Sequence, residues 1–326
     1  MILGEQTVKK PLCIVIVGPT ASGKSSLAVA VAKKENGEVV SADSMQIYKR
    51  MDIATAKVTE EEADGVPHHL IDFVEPWESF SVAEFKELAV SKMHEIFSRG
   101  KTPVLAGGTG FYVDTVINNT SFLDYEKNET REELLKRADE EGLESLWNEL
   151  FSVDEKSALK IHKNDRKRIV RALELFKTTG KTMSEQRELS HLEESEFSFC
   201  IIGLTANDRQ FLYDRINRRV DVMLQNGLLE ETKAFFENEH SQTAKQAIGY
   251  KELKPFLDGE ISLEEATENL KRETRRYAKR QLSWFRRNEK INWLNIDEES
   301  EETLLQKSLE IIENFKGELD EKVKEL

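Results

Sequence analysis

Cysteine is scarce in this sequence, and long apolar segments are missing. The two cysteines, Cys13 and Cys200, cannot build a disulfide framework or a zinc cluster, and both lie in apolar runs where a small buried residue fits. No hydrophobic run reaches the length that spans a bilayer. Residues 1–10 lack the basic and then apolar pattern of a secretory signal. We therefore expect a cytoplasmic protein without membrane association.

An excess of positive charge is also lacking, but the basic residues that are present are unevenly distributed. The formal net charge of −14 argues against a general nucleic-acid-binding protein. Residues 271–290 nevertheless contain nine lysines and arginines against two glutamates, and residues 163–171 contain a second basic cluster. Such clusters can guide a polyanion to one surface. For the second cluster, a solvated helix face explains the charge equally well.

A glycine-rich loop follows the first apolar run of the chain. The run Leu12–Val17 predicts a buried strand, and the next eight residues match the pattern G-x-x-x-x-G-K-[ST] of a P-loop. In such loops backbone N–H groups turn toward phosphate oxygens, the lysine adds a positive charge, and the hydroxyl can bind Mg²⁺. The sequence therefore predicts a site for a diphosphate or triphosphate group at Gly18, Pro19, Thr20, Ala21, Ser22, Gly23, Lys24 and Ser25.

Apolar runs rich in β-branched residues alternate with helical patterns along most of the chain. This alternation predicts an α/β fold in which a P-loop NTPase-like parallel sheet is covered by helices on both faces. Residues 124–197 differ, because they contain many charges and no convincing strand. We interpret them as a helical insertion, and residues 1–123 and 198–326 as a discontinuous core domain. The predicted strands are Leu12–Val17, Glu38–Ser41, Thr102–Ala106, Cys200–Leu204 and Ile291–Ile296.

Two predicted helices have well-marked ends. In the insertion, Asn164 or Asp165 can cap a helix that ends near Gly180. The helix predicted over residues 262–288 opens with a serine and a glutamate at the spacing of a capping box. Its aromatic residues fit core packing better than base stacking, and they are Tyr277, Trp284 and Phe285.

Polar residues follow two further strands of the predicted sheet. Asp43 comes after the second strand, where a carboxylate can bind Mg²⁺, cap the next helix or accept a proton. The third strand runs into Gly107–Gly110, whose glycines allow a backbone or a ligand to approach closely. Thr109 projects a hydroxyl into that space. Because the carboxyl ends of parallel strands share one edge of the sheet, we expect these residues to lie near the P-loop.

Other clusters carry a weaker signal. The pair His68 and His69 has no neighbouring cysteine or histidine, so a metal site there is not expected. Residues 247–252 fit a turn near a substrate and a structural corner equally well. Any one of three arginines on a predicted helix could reach the phosphates, and sequence periodicity does not choose among Arg215, Arg218 and Arg219.

Several of these segments together resemble one family, the bacterial tRNA dimethylallyltransferases, also called tRNA isopentenyltransferases. The resemblance extends from about residue 11 to about residue 296 and lies in GPTASGKS, SADSMQIYKRMDIATAK, PHHLID, GGTGFY, NDRKR, QAIGYKE and RRYAKRQLSWFRR. It implies transfer of a dimethylallyl group from dimethylallyl diphosphate to the exocyclic amine of the adenosine just 3′ of the anticodon, in tRNAs that read codons starting with U. Diphosphate is released, and Mg²⁺ assists.

The resemblance also implies roles for individual residues. Lys24 and the loop amides would bind the diphosphate, and Ser25, where the family commonly has threonine, would help to hold Mg²⁺. Asp43 is similar to the family's general base, and Thr109 lies in the loop that packs against the reacting groups. Arg219 resembles the arginine that supports the leaving diphosphate.

Contacts with tRNA are implied in the same way. The insertion resembles the domain that closes on the anticodon stem-loop of tRNA. The cysteines and histidines of the zinc-binding extension in eukaryotic relatives are not found, so we expect the bacterial form. We expect a monomer. The residues matching the family's tRNA contacts are Asp43, Ser44, Met45, Gln46, Lys167, Arg168, Ile169, Val170, Arg171, Gln246, Gly249 and Lys251.

Two other functions compete with this interpretation. A small-molecule or nucleotide kinase shares the P-loop and an aspartate at a strand end, and it would turn over ATP. Two separate basic segments and the lack of an obvious arginine-rich lid argue against it. A non-catalytic RNA-binding NTPase or GTPase switch would need a guanine-reading Asn-Lys-x-Asp motif, which the sequence lacks.

Overall fold

One sheet of six parallel strands lies at the centre of the fold. The structure, a computed structural model, describes residues 10–123, 129–190 and 194–325. Residues 1–9, considered above for a secretory signal, and Asp124, the first residue of the predicted insertion, lie outside them. The strands are β1 (Leu12–Val17), β2 (Gly37–Ser41), β3 (His68–His69), β4 (Thr102–Gly107), β5 (Ser198–Thr205) and β6 (Asn292–Asn295). Their order across the sheet is β3-β2-β4-β1-β5-β6, which confirms the predicted α/β class.

The five predicted strands are all present, with ends that differ by at most two residues. Their positions were predictable because strands covered on both faces are continuous apolar runs. The edge strand β3 was missed. It has two residues, His68 and His69, which pair with Val39 and Val40 of β2, and two residues are too few to form a pattern.

The chain divides into two compact units, Met1–Val116 with Glu196–Leu326, and Ile117–Ser195. Helices of the first unit are α1 (Lys24–Lys34), α2 (Glu60–Ala63), α3 (Val82–Ser98), α4 (Gly110–Ile117), α10 (Arg209–Gln225), α11 (Leu228–Phe236), α12 (Tyr250–Leu257), α13 (Leu263–Phe285) and α14 (Glu301–Glu325), with a 3₁₀ turn at Ala244–Gln246. The second, the helical unit, contains α5 (Thr130–Glu140), α6 (Leu143–Val153), α7 (Glu155–Ala158), α8 (Arg166–Thr179) and α9 (Met183–Ser190).

Strand β1 is the most deeply buried part of the sheet. Five of its residues, Cys13–Val17, have no exposed surface, and Ala28 and Val31 of α1 lie in the same core cluster as Ile14 and Ile16. Both cysteines are free and buried, as predicted, and burial raises the pKa of the Cys200 thiol to about 12. Apolar burial on both faces therefore fixes the strand that feeds the P-loop.

In the helical unit, α8 supplies much of the core. Its apolar face packs with Leu134, Leu146 and Leu150, and the side chains of Ile169 and Val170 are fully buried there. The Asp165 carboxylate accepts from the backbone N–H of Arg168 at 3.1 Å, and Gly180 ends the helix at a φ of 71°. Both predicted ends of this helix are confirmed.

Helix α13 carries the basic segment of the first unit. Ser262 Oγ accepts from the backbone N–H of Glu265 at 3.2 Å, which confirms the predicted start. Phe285 is buried, and Trp284 Nε1 donates to Asp114 Oδ2 at 2.7 Å, so both rings belong to the packing of the unit. Among the helices that the structure describes, we find none with the length and apolar character needed to cross a membrane.

Candidate active site

Three loops meet at the carboxyl edge of adjacent strands. The P-loop joins β1 to α1, Asp43 follows β2, and Thr109 follows β4, and these strands are neighbours in the order β2-β4-β1. The structure thus brings together the loops that the sequence placed at one edge. Their proximity follows from the parallel topology, which sends every strand toward the same edge.

The P-loop is closely packed at Gly18. A Cβ at Gly18 would lie 2.9 Å from Ser22 Oγ and 3.1 Å from the Leu204 carbonyl oxygen, so no side chain fits there. Gly23 precedes α1 with a φ of 87°, a left-handed conformation that favours glycine. Lys24 and Ser25 then form the first turn of α1, where backbone N–H groups lack helical partners. The loop therefore presents the donors of an anion site.

A cavity of about 320 Å³ contains Lys24, Asp43 and Arg219. Burial lowers the pKa of Lys24 to about 8, while the negative charge of Asp43 opposes this shift and the positive charge of Arg219 adds to it. Burial also lowers the pKa of Arg219, and Asp43 again opposes the shift. The three charged groups are therefore close enough to act on one another in a site largely shielded from water.

A second cavity, of about 610 Å³, adjoins the same loop. It contains Lys57 and all three candidate arginines of α10, while Lys24, Ser25 and Arg219 line both cavities. Arg215 Nε donates to the Ala21 carbonyl oxygen at 2.8 Å and so supports the P-loop from outside. Arg218 lines the larger cavity but not the smaller one. Of the three arginines, Arg219 is thus the one that faces both cavities.

Asp43 also organises the turn that follows β2. Its Oδ1 accepts from the backbone N–H of Met45 at 2.9 Å and of Gln46 at 3.4 Å. The sequence allowed Asp43 to cap the next helix, but residues 44–47 form a turn, and the next helix, α2, begins at Glu60 with Thr59 as its cap. Asp43 instead caps this turn while it lines the cavity. These two hydrogen bonds hold the carboxylate at a defined place in the cavity.

Thr109 is tied to the Asp43 turn through Ser44. Thr109 Oγ1 accepts from the backbone N–H of Ser44 at 3.0 Å and donates to Ser44 Oγ at 3.3 Å. Ser44 lines the smaller cavity, and Thr109 lies directly behind it.

The glycines around Thr109 make room for protein groups. A Cβ at Gly107 would lie 2.2 Å from the Ala42 carbonyl oxygen, and a Cβ at Gly108 or Gly110 would lie 2.2 Å from a side chain of α13. The sequence had left open whether a backbone or a ligand approaches this loop. In the structure the close neighbours are a backbone and two side chains.

All the residues matched to tRNA contacts in the first unit line the smaller cavity. Ser44, Met45, Gln46, Gln246, Gly249 and Lys251 line it together with Asp43. Gln46 also has a structural task, because its Nε2 donates to the Thr55 and Ala56 carbonyl oxygens at 3.2 and 3.0 Å. A polar opening thus surrounds Asp43.

The α8 residues that match the family's tRNA contacts differ from one another in their exposure. Lys167, Arg168 and Arg171 are exposed, and Arg168 and Arg171 form ion pairs with acidic residues of the same helical unit. Ile169 and Val170 lie in the core of that unit. In this segment, the exposed side chains are therefore the ones available to a partner.

Sequence reasoning did not assign a site role to three residues of α13. Tyr277, Arg280 and Gln281 all line the cavity that contains Asp43. Gln281 is 4% exposed, and a polar side chain so deeply buried needs partners. The available signal was that Gln281 lies between aromatic residues, in a segment that resembles the family. Composition alone does not distinguish a site residue in such a segment from one that packs in the core.

Glu231 was also missed, because its partners are distant in sequence. Its carboxylate accepts from the backbone N–H groups of Asp52, Ile53 and Ala54 at 2.7–2.9 Å and from the Tyr250 hydroxyl at 2.8 Å. The loop that it holds lines both cavities through Ile53, Ala54 and neighbouring residues. Glu231 thus supports one wall of the site.

The histidine pair takes part in a structural ion cluster. His69 Nε2 lies 2.7 Å from Glu38 Oε2, and the same buried carboxylate pairs with Arg99 and Lys101. Within the described ranges, no group of three or more His, Cys, Asp or Glu side chains could hold a metal ion.

Comparison with known proteins shows similarity over nearly the whole chain. The model of the IPP transferase family matches residues 46–288. The tRNA dimethylallyltransferase of Acetivibrio thermocellus is 51% identical over 296 residues, covering 90% of this chain and 94% of the relative. The full-length tRNA isopentenylpyrophosphate transferase of Bacillus halodurans has a similar structure, with a TM-score of 0.71 and 45% identity over 97% of this chain and 99% of that one. A eukaryotic dimethylallyltransferase acting on tRNA aligns with a TM-score of 0.75 and 31% identity, covering 88% and 74%.

Proposed function

The chain belongs to the IPP transferase family, and we propose that it transfers a dimethylallyl group from dimethylallyl diphosphate to the N6 amine of an adenosine in tRNA. The adenosine is the one just 3′ of the anticodon, in tRNAs that read codons starting with U. The observation that carries this proposal is a phosphate loop whose Lys24 shares one cavity with Asp43 and Arg219. A donor diphosphate and a nucleophile can meet there.

The P-loop is suited to the diphosphate end of the donor. Backbone N–H groups at the start of α1 and the Lys24 ammonium can bind its oxygens. Lys24, with a pKa of about 8, is mostly protonated at neutral pH. A bound diphosphate would strengthen that protonation, because a nearby negative charge favours the charged amine.

The oxygen donors present fit a magnesium ion shared with the substrate. Ser25 Oγ and the Asp43 carboxylate line the cavity of Lys24, and Mg²⁺ prefers oxygen ligands and keeps several that are not from protein. We propose that Ser25 and diphosphate oxygens hold it. When bound, Mg²⁺ neutralises part of the charge on the departing diphosphate.

We propose that Asp43 acts on the adenine amine. In the proposed step, the bond between C1 of the dimethylallyl group and the diphosphate oxygen breaks, and its electron pair leaves with the diphosphate. A bond forms between N6 and C1, and the N6 proton passes to the Asp43 carboxylate. The hydrogen bonds from Met45 and Gln46 hold this carboxylate in place for the transfer.

Charge stabilisation accounts for most of the expected acceleration. The leaving diphosphate gains negative charge as the C1–O bond breaks, and Lys24 and Arg219 lie in the same cavity. Both groups are largely buried, so their electrostatic effect is larger than it would be in water. The hydroxyl of Thr109, through Ser44, supports the loop that carries Asp43.

For tRNA, we propose contacts at both units. The smaller cavity would take the target adenosine, with Ser44, Gln46 and Lys251 at its opening. The helical insertion would contact the anticodon stem-loop through Lys167, Arg168 and Arg171. We further propose that the protein acts as a monomer in the cytoplasm.

A kinase is not favoured, because the relatives described above are named as transferases of tRNA. The test is incubation of the protein with unmodified tRNA, Mg²⁺ and labelled dimethylallyl diphosphate. We expect label in the RNA and release of diphosphate. ATP turnover without transfer to RNA would contradict the proposal.

A further inference from the structure

Gln281 connects two loops of the site through one side chain. Its Oε1 accepts from the backbone N–H of Thr20 in the P-loop at 2.8 Å. Its Nε2 donates to the carbonyl oxygen of Gly108, next to Thr109, at 2.9 Å. The side chain comes from α13, which is far from both loops in sequence. One amide therefore spans the space between the diphosphate loop and the loop of Thr109.

The surroundings are built for an amide. A carboxamide presents an acceptor and a donor together, whereas an ionised carboxylate only accepts. Gln281 is 4% exposed, so neither bond is readily replaced by water. A Cβ at residue 108 would lie 2.2 Å from Nε2, so the absence of a side chain at Gly108 lets the amide reach the backbone.

A second residue of α13 faces the same cavity. Tyr277 lies one helical turn before Gln281 and lines the smaller cavity with it. On the far side of the connection, Gly108 is followed by Thr109. Thr109 in turn holds the backbone of Ser44, next to Asp43. Hydrogen bonds thus join Thr20 to Gly108 through Gln281, and the next residue, Thr109, holds the turn that carries the proposed base.

We propose that Gln281 is a positioning residue, which sets the separation between the diphosphate loop and the loop of Thr109 and Asp43. The inference rests on the proposed function, because the separation matters when the C1 atom of the donor must meet an amine held at Asp43. A displacement of about 1 Å between reacting groups can reduce a rate by about 100-fold. Gln281 acts through Thr20 and Gly108, and it takes no part in bond making.

Two substitutions at Gln281 distinguish this positioning role from a purely structural role. Gln281→Met keeps the approximate volume and removes both hydrogen bonds. Gln281→Glu keeps the acceptor for Thr20 but turns a carboxylate toward the Gly108 carbonyl oxygen. Gln306→Met serves as the matched control, since Gln306 is an exposed glutamine of α14 outside the site. The assay measures transfer from dimethylallyl diphosphate to tRNA, with the tRNA Kd determined separately.

We expect Gln281→Met to lower kcat by about 10- to 100-fold, with a tRNA Kd within about twofold of the unaltered chain. For Gln281→Glu, the rate relative to the unaltered chain should rise by about tenfold from pH 8 to pH 6, because a protonated acid regains a donor for Gly108 and burial raises the pKa of the carboxyl. The rate of Gln281→Met relative to the unaltered chain should not change between pH 8 and pH 6. Gln306→Met should retain full activity.

A general loss of folded protein would lower the rates of both variants by factors independent of pH. The role of Gln281 is therefore overturned by a flat ratio for Gln281→Glu, or by a kcat of Gln281→Met within twofold of the unaltered chain. Absence of transfer by the unaltered chain would overturn the proposed reaction together with this role. If the unaltered chain is active and the Gln281 variants are as active as it is, only the role of Gln281 is overturned.

Discussion

Charged side chains are arranged differently in the two regions that we propose to act on tRNA. At the edge of the sheet, Lys24, Asp43 and Arg219 share a cavity, and burial lowers the pKa of both cations. On α8, the basic side chains are largely exposed, and Arg166, Arg168 and Arg171 each pair with an acidic residue of the helical unit.

The difference follows from the exposure of the charges. Coulomb interactions are strong where water is excluded, and exposed pairs are weak and screened by salt. The buried group can therefore stabilise charge that develops during a reaction. The exposed group can exchange its acidic partners for phosphates at small cost, which suits reversible binding of RNA.

The largest expected effect separates chemistry from binding at the buried group. Asp43→Ala should lower kcat by about 10²- to 10⁴-fold, because the amine loses its proton acceptor. The tRNA Kd should remain close to that of the unaltered chain. Single-turnover transfer and filter binding measure the two quantities.

Asp214→Ala provides the control, because Asp214 is an exposed aspartate of α10. It should leave both quantities unchanged. Loss of tRNA binding by Asp43→Ala with an unchanged rate at saturation would contradict the role of base.

A second experiment asks which residues of the α8 segment face a partner. Ile169→Ala should destabilise the helical unit by about 2–5 kcal/mol, because Ile169 is fully buried in its core. Thermal unfolding followed by circular dichroism measures the loss. At temperatures below the unfolding transition, the tRNA Kd should equal that of the unaltered chain. A weaker Kd with unchanged thermal stability would instead mean direct contact between Ile169 and RNA.

Charge reversal probes the exposed group. The double change Lys167→Glu with Arg171→Glu should weaken tRNA binding by about 10- to 100-fold near physiological salt and make its salt dependence shallower by about two phosphate contacts. Lys136→Glu alters the same unit at an exposed position of α5 and should have a smaller effect. Lys167→Glu and Arg171→Glu are also measured singly. If Lys136→Glu weakens tRNA binding as much as each of them does, the effect comes from net charge and not from the α8 face.

The smallest effect concerns pH at the buried group. The pKa of Lys24 is lowered to about 8 by burial, so the amine loses its proton as the pH rises through that value. Donor affinity should therefore fall by about tenfold between pH 7 and pH 9. Calorimetric titration with dimethylallyl diphosphate measures it. Lys24→Met should bind weakly at both pH values, and a persisting pH dependence in that variant would implicate another group.

Much of the fold was predictable because it depends on local patterns. Strand β1 is a continuous apolar run, and the P-loop follows it within the same segment of sequence. The ends of α8 were visible in Asp165 and Gly180, since capping is decided by neighbouring residues. Strand β3 was not predictable, because two residues at a sheet edge carry no periodic signal.

The candidate site was predictable only in part. The P-loop pattern and the position of Asp43 after a strand placed both at one edge of the sheet, because parallel strands end together. Choosing Arg219 over Arg215 and Arg218 required the resemblance, and the distinct surroundings of the three became visible only in the packed structure. Periodicity places all three on one helix without saying which faces a cavity.

By itself, the sequence determined the phosphate loop, the parallel sheet that presents it and the family to which the chain belongs, since each depends on contiguous residues. The tertiary structure alone decided that Gln281 joins Thr20 to Gly108 and that Glu231 holds residues 52–54. The physical reason is that a buried polar side chain takes its partners from whatever backbone groups the packing brings within about 3 Å. Those partners lie up to 261 positions away in the chain.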